Sequence, residues 1–152
     1  MKAVYTVDEI RRAEQPLLDA QRTTDELMRH AASAVADAAR VLLAAERPRH
    51  MEGDGVLLLV GSGGNGGDAL YAGASLLSDG VTVDAVLLGD NPHGPALEAF
   101  REAGGTVRGD DVADQVRDIH ERYRLIVDVI VGLGGSGALR EHAALLICEA
   151  SN

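Results

Sequence analysis

The chain reads as an α/β domain: a Rossmann-like arrangement of three layers, α/β/α, on a mostly parallel sheet, with a helical extension at its N-terminus. Three observations predict this. From residue 56 onward, short aliphatic runs alternate with helical segments, a pattern that implies right-handed crossovers and parallel strands. The run Val56–Val60 is wholly aliphatic, as strands covered on both faces are. Before it, apolar residues recur only at helical spacing.

The elements follow in order. Thr6 and Glu9 form a capping box that starts a first helix, which Pro16 should break or kink. Thr23 and Glu26 repeat the box before a long helix, whose Leu27, Ala31, Val35, Ala38 and Leu42 make one apolar face. Residues 46–55 are polar, contain Pro48 and two glycines, and read as a loop. A strand at Val56–Val60, a helix at Asp68–Leu77 and a turn at Asp79-Gly80 come next. In a strand at Val81–Leu88, Val83, Ala85 and Leu87 alternate with Thr82, Asp84 and Val86. A helix at Pro95–Ala103 ends on Gly104-Gly105, before a short strand at Thr106–Arg108 and a helix at Val112–Glu121. A strand at Leu125–Val131, a glycine-rich loop at Gly132–Gly137 and a helix at Leu139–Ala150 finish the chain. The expectation is a single domain over 1–152, with a helical part at 6–45 and an α/β part at 56–152.

Composition narrows the function. The net charge of −10 disfavours nucleic acid and anionic membranes as partners. An anionic ligand must then be held by backbone N–H groups, local dipoles or a bound cation. The single cysteine, Cys148, permits no internal disulfide, suits a cytoplasmic location and reads as a small buried hydrophobe. No signal peptide or membrane-length apolar run is visible, and His30, His50, His93, His120 and His142 lack zinc-ligand spacing.

Two loops carry the chemistry. Gly61-Ser62-Gly63-Gly64-Asn65-Gly66-Gly67-Asp68 holds five glycines in eight residues and follows a strand. Glycines let the backbone approach a phosphate, and a helix N-terminus favours negative charge. A tight turn needing positive φ is the alternative. Asp68 would repel a phosphate unless it caps loop amides or meets a cation. Asp90 lies at about the distance of a ribose contact, or belongs to the Asn91-Pro92 turn.

The second loop follows Asp128, whose neighbours Leu125–Val131 are all aliphatic. A carboxylate there should be buried, and is costly unless loop amides or a cation satisfy it. An ion held by oxygen ligands would do so. In a parallel sheet, ligands bind beyond the strand ends where strand order reverses, so the first and fourth strands should be neighbours there.

These residues resemble the YjeF N-terminal family, the NAD(P)H-hydrate epimerases. The family's loop reads close to G-x-G-N-N-G-G-D-G; here Gly64 replaces the first Asn and Ala69 the last Gly. Its second signature, V-D-A-x-x-G-x-G, is similar to Val127-Asp128-Val129-Ile130-Val131-Gly132-Leu133-Gly134. Leu27-Met28-Arg29-His30-Ala31-Ala32 stands where the family often has L-M-E-x-A-G. The resemblance implies that Gly64, Asn65, Gly66, Gly67 and Asp68, with Gly132, Leu133, Gly134, Gly135, Ser136, Gly137 and Ala138, bind hydrated NADH or NADPH. It implies Asn65 and Asp128 as ligands of a potassium ion, and Asp128 as the catalytic group. The implied reaction interconverts the two epimers at C6 of the hydrated nicotinamide, so that an ADP- or ATP-dependent dehydratase, fused or separate, can restore the cofactor.

The family continues with a further strand and a V-D-x-P-S-G segment, which does not occur before Asn152. The expectation is therefore an incomplete domain with an open strand edge, prone to homodimerise, and with weak or absent turnover. Two other functions compete: a non-catalytic nucleotide-binding module of the same fold, and an NAD-dependent oxidoreductase, against which Asp68 argues.

Overall fold

The computed structural model describes residues 4–45, 52–109 and 119–130. Helix α1 spans Val7–Asp19 and α2 Glu26–Ala44. The α/β part follows as β1 (Gly55–Val60), α3 (Gly63–Ser78), β2 (Val83–Leu87), α4 (Gly94–Glu102), β3 (Thr106–Arg108), α5 (Ile119–Arg122) and β4 (Tyr123–Val129). The sheet order is β3-β2-β1-β4, with every pair parallel.

The Thr6–Glu9 capping box forms: Thr6 N–H donates to Glu9 Oε2 at 2.7 Å and Glu9 N–H to Thr6 Oγ1 at 3.3 Å. At this end a break at Pro16 is not seen. Helix α1 runs through Pro16 to Asp19. It buries no residue, so the carbonyl that Pro16 cannot bond lies on an exposed helix, where an unpaired acceptor costs little. The second box does not form either. The cap of α2 is Asp25, left-handed at φ 60°, and the Glu26 carboxylate instead accepts the Arg22 N–H at 2.7 Å.

The core lies on both faces of β1. On one face Val56, Leu58 and Val60 pack with Ala32, Ala36 and Ala39 of α2, Leu70 and Leu76 of α3, and Phe100 of α4. On the other, Leu57 and Leu59 pack with Val86, Ile119 and Tyr123. Small residues on α2 let it lie close to α3. Gly73 lets α3 lie close to β1 and α4, since an added Cβ would meet Leu58 Cδ1 at 2.7 Å and Phe100 Cε2 at 3.0 Å. Strand β2 is buried along nearly its whole length, so the alternation read from its sequence does not describe exposure: Thr82 lies outside the strand, and Asp84 is buried through bonds described below.

Strand order reverses at β1, which has β2 on one side and β4 on the other. The C-terminal ends of β1 and β4 are therefore the crevice where this class of sheet binds ligands. The helix predicted over 112–121 is seen at Ile119–Arg122; its earlier residues, the loop Gly132–Ala138 and the helix at 139–150 lie outside the described residues.

Candidate functional site

The glycine segment is mostly helix. Only Gly61 and Ser62 separate β1 from α3, and Gly63 enters the helix at φ 77°. Asp68 was expected at the helix start but sits in its second turn, because Gly63–Gly67 form the first. Packing overrides the poor helix propensity of glycine here. Gly67 lies so close to its neighbours that an added Cβ would stand 2.5 Å from Met28 Sδ and 3.2 Å from His93 Cβ. A Cβ on Gly66 would collide with the Gly61 carbonyl, and one on Gly61 with the Ile130 carbonyl.

The remaining glycines face outward. Among the described residues nothing lies within 4 Å of a Cβ added at Gly63 or Gly64, and Asn65 is exposed beside them. The first N–H groups of a helix have no partner within it. Ser62 makes no side-chain cap on α3, while the Gly63 N–H reaches the Asn91 carbonyl at 3.4 Å. The Gly61 N–H is held by Val129 of β4 at 3.1 Å. The result is a helix N-terminus with no side-chain cap, open at Gly63 and Gly64 and fixed against both strands of the crevice. That geometry accommodates a phosphate.

Asp68 is half-buried, and its carboxyl is raised to about 6, first by burial, then by the charge of Glu14, with His93 opposing. It is partly protonated near neutral pH, which eases its repulsion of a phosphate. The folded value exceeds the unfolded one, so the protonated carboxyl costs nothing below pH 4 and the charged one is penalised as pH rises through 6. Asp68→Asn should therefore raise stability at pH 8 by about 1 kcal/mol, discounted for solvent screening, and leave it nearly unchanged at pH 4. Thermal melts of both proteins across that range check this; an equal gain at both ends would contradict it.

Asp128 corrects the sequence reading. It pairs with Leu59 near the crevice, as expected, but is exposed rather than buried. The aliphatic run around it reflects an edge position among the described strands, with Leu125, Ile126 and Val127 only partly covered. Its Oδ1 accepts the Ile130 N–H at 3.1 Å. An exposed carboxylate keeps its hydration, so burial demands no counter-ion there. Among the described residues no group of three or more His, Cys, Asp or Glu is placed to hold a metal. Of the substrate-binding residues expected from the sequence, Gly64, Asn65, Gly66, Gly67 and Asp68 share the start of α3. Gly132, Leu133, Gly134, Gly135, Ser136, Gly137 and Ala138 lie outside the described residues. Asp90 is exposed in the bend after β2.

Beside α3 lies a polar cluster that the sequence pattern does not mark. Asp25 Oδ2 accepts the Tyr71 hydroxyl at 2.8 Å, and Asp25 Oδ1 stands 3.5 Å from His93 Nε2. His93 Nδ1 in turn accepts the Ala96 N–H at 3.3 Å and caps α4. Arg29 lies 4.1 Å over the Tyr71 ring and donates to its hydroxyl at 3.3 Å.

Comparison with known proteins places this geometry in context. The family described as "YjeF-related protein N-terminus" matches residues 24–152. The bifunctional NAD(P)H-hydrate repair enzyme Nnr of Corynebacterium glutamicum is 46% identical over 148 residues, 97% of this chain and 25% of that protein. The NAD(P)H-hydrate epimerase of Microbacterium testaceum is 44% identical over 132 residues, 87% of this chain and 47% of that protein. The chain thus spans between a quarter and a half of these relatives' lengths. The crystal structure of yeast ynu0, YNL200c, superposes with a TM-score of 0.78 at 20% identity, over 97% of this chain and 64% of the yeast chain, and so shares the fold.

Proposed function

The chain belongs to the YjeF N-terminal family, and on that premise we propose that it binds hydrated NADH or NADPH and serves in epimerising the hydrated nicotinamide, as an isomerase of nicotinamide-cofactor repair. The observation that carries this reading is the uncapped start of α3 at the reversal of strand order, with Gly63 and Gly64 open to solvent. Outward-facing amides of the first turn bind the phosphate. Asp128, exposed at the end of the neighbouring strand, is assigned to the reacting end of the nicotinamide, where a carboxylate takes up and returns a proton.

A potassium ion fits the donor chemistry of the crevice: the amide oxygen of Asn65 and the carboxylate of Asp128 are hard oxygen ligands. The ion would supply positive charge against the phosphates and Asp68 in a chain of net charge −10. No helix among the described residues is long and apolar enough to cross a membrane, and with one cysteine the reading assigns the protein to the cytoplasm. The bifunctional naming of relatives such as the Nnr of Corynebacterium glutamicum supports a dehydratase acting on the same substrate.

The test is equilibration of the two epimers of purified hydrated NADH, in potassium and in tetramethylammonium buffer. We expect acceleration that depends on potassium, and in Asp128→Asn a loss of at least tenfold together with that dependence. Tight nucleotide binding without any acceleration would favour the non-catalytic module instead.

A further inference from the structure

We propose that Asp25 is a positioning residue for the phosphate-binding turn of α3, an inference that rests on the nucleotide-binding role assigned to that turn. Asp25 is the one non-glycine residue with positive φ among those described, at φ 60° and ψ 23°. Such a conformation persists where surrounding contacts over-determine it. Those contacts belong to three helices. The carboxylate sits at the start of α2, accepts Tyr71 of α3 at 2.8 Å, and faces His93 of α4 at 3.5 Å, with its side chain only 15% exposed.

Tyr71 lies one turn beyond Asp68 on α3. Gly67, in the first turn, is wedged between Met28 of α2 and His93 of α4. The elements that Asp25 ties together are thus the same ones that grip the glycine turn. His93 is itself fixed, since its Nδ1 is occupied by the Ala96 N–H, which leaves Nε2 as the atom that carries hydrogen toward Asp25. Arg29, stacked on Tyr71, closes the network from one turn along α2. Asp25 therefore sets where the first turn of α3 stands relative to α2 and α4, and with it the direction of the outward amides, without touching the ligand.

The experiment compares Asp25→Ala and Asp25→Asn with wild type in two readouts. Amide hydrogen exchange of the first turn of α3 needs no ligand; calorimetric titration with NADP⁺ reads binding. Alanine should speed exchange of the Gly66–Asp68 amides and weaken NADP⁺ binding, each by roughly tenfold. Asparagine, which keeps the acceptor and tolerates the left-handed backbone, should restore both to within about threefold. Exchange in that turn at the wild-type rate in the alanine variant would overturn the proposal. So would a uniform rise in exchange across the chain with unchanged affinity, or failure of asparagine to rescue. Localised exchange with no NADP⁺ binding even in wild type would uphold the positioning role and overturn the nucleotide-binding one.

Discussion

Asp84→Ala should cost about 3 kcal/mol of folding stability, measured as the shift in denaturant midpoint at constant slope. Asp84 is 6% exposed in the middle strand pair, and its Oδ2 collects three bonds. Arg108 Nε and Arg108 Nη2 each approach at 2.8 Å, and the Tyr123 hydroxyl donates at 2.6 Å. The network ties together three strands, of which β2 and β4 are not neighbours. Arg108 ends β3, Asp84 belongs to β2, and Tyr123 opens β4 on the far side of β1. Tyr123 makes that crossing over Gly55, where an added Cβ would stand 3.2 Å from its ring. Burial and the Asp84 bond raise the Tyr123 hydroxyl to about 12, so it remains a donor throughout the working pH range. Removing the carboxylate leaves a buried hydroxyl and a mostly buried guanidinium without their acceptor, and that loss, rather than the net worth of the pair, sets the magnitude. A loss below about 1 kcal/mol would mean that water replaces the acceptor freely.

Much of this was legible in the sequence because it is local. Helix–strand alternation predicted the parallel sheet; Thr106–Arg108 was read at its observed bounds; and the glycine-rich ends of two aliphatic runs located the reversal between β1 and β4. What was not legible depends on residues far apart. Gly63–Gly67 read as a loop because glycine disfavours helix, yet Met28 and His93 pack them into one. Asp25 carries no local signal, since its partner Tyr71 lies 46 residues away. Asp84 looked like the polar side of an alternating strand, and its acceptor role needs Arg108 and Tyr123 brought in from two other strands. Asp128 looked buried because its neighbours are aliphatic, although an aliphatic strand is fully covered only in the interior of a sheet. The YjeF N-terminal resemblance bridged part of that gap, because the glycine-glycine-Asp run holds together as sequence.

The glycines of the first turn divide by what stands behind them, and this gives the second large effect. At Gly66 even a methyl group would strike the Gly61 carbonyl, with Val60 Cγ1 at 3.1 Å. Backbone cannot yield as a flexible side chain can, so Gly66→Ala should cost at least 2 kcal/mol, a figure on the order of other overpacking changes. A binding loss in that variant would say little about the ligand. At Gly64 nothing among the described residues lies within 4 Å of an added Cβ, so a side chain there displaces none of them and projects into the crevice. Gly64→Val changes no packing and should melt within a few degrees of wild type, the residual shift being helix propensity. Calorimetric titration of wild type and Gly64→Val with NADP⁺ is therefore the most direct measurement of whether the start of α3 is a phosphate site. Saturable binding in wild type, weakened at least tenfold in a Gly64→Val protein of nearly unchanged melting temperature, is the predicted result. Equal affinity in the two folded proteins would contradict it.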